Sequence, residues 1–152
     1  MGRVLITGMS GVGKSTVVEG IAQRGIVAVD TDYGDWKSAD GTWDLEAVGR
    51  LLRENDDIVV AGTVENQGML YDMFDHVVLL TAPPSVLIER VTSRRTNPYG
   101  SSAAEREEIL EYTHTVEPLL RATATEVIET TQPLETTVDE IVDLLAVPRR
   151  FT

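Results

Sequence analysis

Eight consecutive residues, Gly8-Met9-Ser10-Gly11-Val12-Gly13-Lys14-Ser15, fit the pattern Gly-x4-Gly-Lys-Ser/Thr without deviation. Glycines at these places let backbone N–H groups turn inward around an anion without Cβ clashes. A lysine there bridges β- and γ-phosphate oxygens, and the hydroxyl after it coordinates Mg²⁺. The helix that begins at this point directs the positive end of its dipole at the same anion. Gly8, Ser10, Gly11, Val12, Gly13, Lys14, Ser15 and Thr16 are therefore expected to bind a nucleoside triphosphate as MgATP, with Lys14 on the transferring phosphate and Ser15 on the metal. The bland alternative is a glycine-rich turn with no ligand. It is weakened because the motif lies between a strand-like and a helix-like segment.

A second set of chemical groups follows at Asp30-Thr31-Asp32. Two acids spaced by two point the same way if the strand continues. One can hold the Mg²⁺ water shell while the other accepts a proton from a substrate hydroxyl. The competing reading is an Asp-rich turn. Asp57 opens a strand rather than closing one, so it is expected at the wrong end of the sheet.

Elements that position these groups can be read from the pattern. Arg3–Thr7, Ile26–Val29, Ile58–Ala61, Val77–Leu80 and Val127-Ile128 read as five short strands. Helices are expected at Lys14–Arg24, around Leu45–Leu52, around Gly68–Phe74, from Pro84 to Arg95, from Ala103 to Ala122 with a kink or break at Pro118, and at Leu134–Leu145. Asn97–Ser102 reads as a loop by turn chemistry. Strands alternating with helices predict a three-layer α/β/α sandwich, with a five-stranded parallel sheet covered on both faces. Ligands in such sheets sit outside the carboxyl ends of the strands, where Asp30-Thr31-Asp32, Gly62–Gln67 and Thr130–Pro133 fall. Asp56-Asp57 and Asp75-His76 lie at the other end, roughly 15 Å away, and are expected to be solvating surface.

Composition narrows the partners. The 152 residues suit one domain, 1–152, and carry a formal net charge of −12 with only two lysines, Lys14 and Lys37. Nucleic-acid binding needs clustered cations and is not expected. There is no cysteine, hence no disulfide framework or thiolate metal site. No apolar run approaches a membrane span and Met1-Gly-Arg runs directly into a strand, so neither a membrane anchor nor a signal peptide is expected, and a cytoplasmic monomer or homodimer is.

Together these residues resemble the nucleoside and small-metabolite kinases of the P-loop class. The phosphate loop followed by Asp30-Thr31-Asp32 is similar to shikimate and gluconate kinases. That likeness implies that Asp30 lies near Mg²⁺ and that Asp32 meets the acceptor hydroxyl. The second half resembles adenylate kinase, in Glu89–Arg95 entering a mobile LID at about 95–103, in Glu111–Leu120 leaving it, and in Thr130–Leu134 edging the adenine. The resemblance implies that Arg90 stacks on the adenine, that Gln132 and Pro133 border it, and that Arg94, with Arg95 less directly, reaches the transferring phosphate. A solvated helix end is the plain alternative for these arginines.

The departures matter as much. No Gly-Gly-Gly follows the third strand, no arginine closely follows Asp32, and no Thr-Gly-Asp plus Arg arrangement is present. Tyr33, Trp36 and Trp43 either stack on a substrate or cap the core, while His76 and His114 read as structural. The implied activity is phosphoryl transfer from ATP to a small-molecule hydroxyl. A nucleoside monophosphate kinase is one alternative, and a nucleotide-dependent switch or ATPase using Thr63 and Gln67 is another. Glu65 is the reserve catalytic acid.

Overall fold

A computed structural model describes residues 2–9, 11–93 and 102–147. Ser10, Arg94, Arg95 and most of the LID-like segment lie outside the described residues. The elements are β1 (Arg3–Thr7), α1 (Lys14–Ala22), β2 (Ala28–Asp30), α2 (Leu45–Glu54), β3 (Ile58–Ala61), a 3₁₀ helix (Gln67–Met73), β4 (His76–Thr81), α3 (Pro84–Ser93), α4 (Ala103–Thr115), α5 (Glu117–Thr123), β5 (Glu126–Glu129) and α6 (Leu134–Leu145). The five strands are all parallel, in the order β2-β3-β1-β4-β5.

Alternation along each strand divides the interior into two cores, because successive side chains leave opposite faces of a sheet. Val4 and Ile6 of β1, with Val59 and Ala61 of β3, face α1, α3 and α6. Leu5, Ile58 and Val60 face α2 and the 3₁₀ helix, where Val48, Leu52 and Phe74 meet them. Both faces of the sheet are thus covered, and the three-layer parallel sandwich expected from the pattern is the observed fold. Helix ends follow local chemistry: Asp44 accepts from the Ala47 amide to start α2, and Ser102 with Glu105 forms a reciprocal cap on α4. Among the described residues, no helix is long and apolar enough to cross a membrane.

Several boundaries differ from expectation. The helix after the phosphate loop stops at Ala22, since the amides of Arg24 and Gly25 turn back to the Ile21 and Ala22 carbonyls. In the 103–122 segment the structure has the expected break rather than a kink, giving two helices joined at Val116. Pro118 supplies no N–H to continue the ladder and instead occupies the first turn of α5. β2 begins two residues late and runs to Asp30, and the segment around Gly68–Phe74 is a 3₁₀ helix.

The lower end of the sheet is only partly solvating surface. Asp57 Oδ1 accepts from the Gly2 amide at 2.7 Å, and Asp75 Oδ2 from the Arg3 amide at 2.8 Å. His76 is buried, with Nδ1 3.1 Å from Glu126 Oε1 and Nε2 2.7 Å from the Val147 carbonyl. It opens a strand flanked on both sides by β1 and β5, which removes it from water. His76 is structural, as expected, but its placement on the solvated surface is corrected.

Candidate active site

The phosphate loop closes β1 and opens α1. Gly13 is the N-cap of α1 at φ 97°, a left-handed conformation that residues bearing a Cβ rarely adopt. Val12 is fully buried, so its side chain anchors the loop in the core. Lys14 donates from Nζ to the Gly8 carbonyl and, at 3.3 Å, to Thr63 Oγ1. Its ammonium therefore lies across the mouth of its own loop.

Thr63, just beyond β3, ties that loop to the sheet. Its Oγ1 accepts from the Gly8 amide at 3.1 Å, donates to the Gly8 carbonyl at 2.7 Å and lies 3.0 Å from Thr7 Oγ1. Gln67 supports the arrangement from below. It is buried, donates to Thr7 Oγ1 at 3.2 Å and Tyr71 Oη at 2.8 Å, and accepts from the Val64 amide at 2.9 Å. A side chain bonded on three sides holds a wall in place. It is not poised to reorient on a γ-phosphate.

The acids at the end of β2 sit where the loop can use them. Ser15 Oγ donates to Asp30 Oδ2 at 2.6 Å, bringing together the two residues assigned to the metal. A hydroxyl and a carboxylate form a hard oxygen pair, and Mg²⁺ takes few protein oxygens while keeping several waters and phosphate oxygens. This donor set fits Mg²⁺. The chain leaves the strand at Asp30, so Asp32 is placed by a turn rather than by strand alternation. The Asp32 amide donates to Asp30 Oδ1 at 3.0 Å, and Asp32 Oδ1 accepts from Lys37 Nζ at 2.9 Å. Both lysines of the chain thus converge on the site. Lys37 carried no signal in the sequence, because its approach depends on the turn and on its short antiparallel bridge to Trp43.

The aromatic residues after the acids divide. Trp43 is buried, and its Nε1 donates to Thr31 Oγ1 at 2.9 Å. Asn66 clamps its backbone from both sides, accepting from the Trp43 amide and donating to its carbonyl. A Cβ at Gly62 would lie 2.3 Å from Thr31 Oγ1 and 3.3 Å from the Trp43 ring, so the glycine makes room for this contact. Trp43 is core. Trp36 packs partly against the same cluster, and Tyr33 is exposed.

Among the described residues, two cavities flank the phosphate loop. The smaller, about 270 Å³, is lined by Val12, Gly13, Thr16, Arg90, Thr130 and Gln132 among others. Arg90 is fixed there by four hydrogen bonds of 2.8–3.3 Å to the carbonyls of Gly11, Val12 and Thr130 and to Thr130 Oγ1. Gln132 is held by Thr137 Oγ1 at 3.1 Å, and Pro133 caps α6 without joining the lining. The larger cavity, about 770 Å³, has Lys14, Asp32, Thr63, Glu65 and Gln67 on one side, and Glu108, Ile109, Tyr112, Val116, Leu119 and Leu120 on the other. The sequence reading missed this second wall. Its signal was Ile109, Tyr112, Val116 and Leu120, spaced by three and four across α4 and α5. His114, by contrast, is exposed and does not line the cavity.

A family model described as an AAA domain matches residues 4–111. Among solved structures, the chain is similar to a shikimate kinase from Acinetobacter baumannii in complex with shikimate: 21% identity, TM-score 0.69, covering 96% of this chain and 93% of that one. It is similar to a gluconokinase from Sinorhizobium meliloti 1021, with 26% identity, TM-score 0.63 and coverage of 95% and 91%. A sugar kinase from Janibacter sp. HTCC2649 follows, at 18% identity and TM-score 0.61, with coverage of 97% and 95%. No curated protein matches the chain in sequence. The chain belongs to the AAA domain family and has the fold of the P-loop small-molecule kinases.

Proposed function

We propose that this protein transfers the γ-phosphoryl group of ATP, with Mg²⁺, to a hydroxyl of a small molecule. The observation that carries the reading is one continuous hydrogen-bonded run from the phosphate loop to the cavity: Ser15 to Asp30, Asp30 to the Asp32 amide, and Asp32 facing the same space as Lys14.

Each group then has a task. Lys14 swings from the Gly8 carbonyl to bridge the β- and γ-phosphates and offsets the charge that spreads over the transferring group. Ser15 and Asp30 would hold Mg²⁺, which when bound would supply neutralisation of phosphate charge. The acceptor oxygen attacks the γ-phosphorus in line. The bond from that phosphorus to the β,γ-bridging oxygen breaks, and ADP leaves with the electron pair. Asp32 takes the hydroxyl proton, and Lys37 holds its carboxylate in place. Thr16, Arg90, Gln132 and Pro133 are assigned to the adenine end, and Arg94 to the transferring phosphate. With ATP as co-substrate, the reaction belongs in the cytoplasm.

The alternatives fit less well. A nucleoside monophosphate acceptor calls for arginines at the acceptor end, and among the described residues the larger cavity has Lys14 as its one cationic lining group. A switch needs a mobile glutamine or threonine at the γ-phosphate, whereas Thr63 and Gln67 are committed to the loop and to Tyr71.

Replacing each acid by its amide separates the roles. Asp30→Asn should raise the Mg²⁺ concentration needed for half-maximal turnover. Asp32→Asn should lower kcat by roughly a hundredfold or more while MgATP still binds. Wild-type metal dependence and rate in both variants would reduce the pair to a turn, and Glu65 would become the acid to test.

A further inference from the structure

Asp32 lies beyond the end of β2, so no strand fixes its side chain. Its amide is held by Asp30 Oδ1, and its own Oδ1 accepts from Lys37 Nζ at 2.9 Å. Asp32 lines the larger cavity, whereas Lys37 does not and meets the carboxylate from outside it. With Oδ1 on the ammonium, Oδ2 is the oxygen left for a hydroxyl in the cavity.

Lys37 is itself placed by a small hairpin. Residues 36–44 fold back so that the Ser38 amide meets the Thr42 carbonyl and the Asp44 amide the Trp36 carbonyl, both at 2.8 Å. Lys37 stands opposite Trp43 in the antiparallel bridge, and Gly41, at φ 84°, helps to make the turn. Trp43 then anchors the hairpin from two sides. Its buried indole donates to Thr31, the residue between the two acids, and Thr31 Oγ1 donates to the Ala61 carbonyl at 2.7 Å. Its backbone is clamped by Asn66, from the segment after β3, at 2.9 and 3.0 Å.

Stability does not account for the ion pair that this hairpin carries. The Lys37 and Asp32 side chains are 34% and 42% exposed, and a pair so placed is screened by water and salt and adds little. Placement is a stricter demand, because a displacement of about 1 Å at a reacting group costs roughly a hundredfold in rate. A buried tryptophan and a two-sided clamp therefore matter for where they put a carboxylate.

Resting on the phosphotransferase reading above, we propose that the 36–44 hairpin positions the proton acceptor, with Lys37, Trp43 and Asn66 as positioning residues that act through Asp32. None of the three lines the larger cavity. The transfer is the one written above. The hydroxyl proton passes to Asp32 Oδ2 as the hydroxyl oxygen bonds the γ-phosphorus and ADP leaves.

The test reads ADP release from MgATP with glycerol and water as the attacking hydroxyls, against a Lys14→Ala control. Lys37→Met keeps the apolar stem and removes the charge. It should lower kcat by about tenfold while the KM for MgATP stays within about twofold. Its thermal midpoint should move by no more than about 2 °C. Lys37→Arg, which keeps the cation, should retain most of the rate. In the Asp32→Asn background Lys37→Met should cost nothing further, since it acts through that carboxylate. Asn66→Ala should also lower kcat, and should add nothing in the Lys37→Met background. Unchanged kcat in Lys37→Met, a loss confined to KM, an arginine variant as slow as Lys37→Met, or additive losses would each overturn the positioning role. ADP release that is absent, or that persists in Lys14→Ala, counts against the phosphotransferase and removes this role with it. Release that depends on Lys14 but gives one of those four results counts against the hairpin alone.

Discussion

The two cavities beside the phosphate loop are built in different ways. Around the smaller one, backbone carbonyls and side chains are tied to each other, with Arg90 alone making four hydrogen bonds to the loop and to Thr130. Around the larger one, the inner wall is tied through Thr63, Gln67 and Tyr71. The outer wall is α4 and α5, where Tyr112 and Leu119 are exposed above the buried Ile109 and Leu120. On the proposed reading the smaller cavity takes the adenine end of a nucleotide that is the same in every such reaction, and a rigid pocket suits it. An acceptor is individual to each enzyme, and side chains from α4 and α5 can differ without disturbing the sheet. On that reading, what is bonded in place serves the common step, and what is left exposed sets the particular one.

Perturbing each region should break or sharpen that contrast. The largest effect is expected at Lys14, where alanine removes the charge at the transferring phosphate. Lys14→Ala should lower nucleotide-dependent turnover by about a thousandfold while circular dichroism stays that of the wild type. Comparable turnover in the variant would contradict the assignment of this loop to the chemistry.

Gln67 comes next, and its effect should appear in stability. Gln67→Ala strands the Val64 amide and removes the amide's bonds to Thr7, which keeps Thr63, and to Tyr71, at a cost of about 2–3 kcal/mol in denaturant unfolding. An unchanged midpoint would remove the tied inner wall from the comparison.

Arg90→Ala should raise the Kd for ATP by about tenfold and erase any preference over GTP, read by calorimetric titration. Arg90→Lys should not restore it, since an ammonium can neither stack as a plane nor reach four acceptors at once. Guanine preference in the wild type would remove the adenine assignment. The smallest change in stability is expected at the outer wall. Leu119→Ala, at a site 68% exposed, should shift stability by no more than about 0.5 kcal/mol yet alter the acceptor KM. A large loss of stability there would mean that the wall is core, and the contrast would fail.

The regions also differ in how far they could be read from residues alone. The phosphate loop is contiguous, so its glycines, lysine and hydroxyl state their geometry in eight positions. Asp30 could be picked out from its place at the end of a strand, and the structure sets it beside Ser15. β1, β3 and α6 have the bounds their apolar patterns predict, because their buried runs are flanked by clear breaks. Trp43 was undecidable from the sequence. Whether it stacks on a ligand or fills the core depends on the space left by Gly62 and on Thr31, which come from two other segments. Thr63 and Gln67 meet partners 55 and 60 residues away, and no local pattern records such bonds. The outer wall stayed hidden because α4 and α5 look like one helix until Pro118 is placed in a first turn.

The most direct measurement follows the phosphorus. The protein is incubated with MgATP labelled at the γ-phosphate and a panel of small hydroxyl compounds, and the products are separated by mass. The expected result is label in an organic phosphate ester formed together with ADP, and absent from the Lys14→Ala reaction. Label found only in inorganic phosphate, whatever acceptor is added, would contradict phosphoryl transfer to a hydroxyl acceptor.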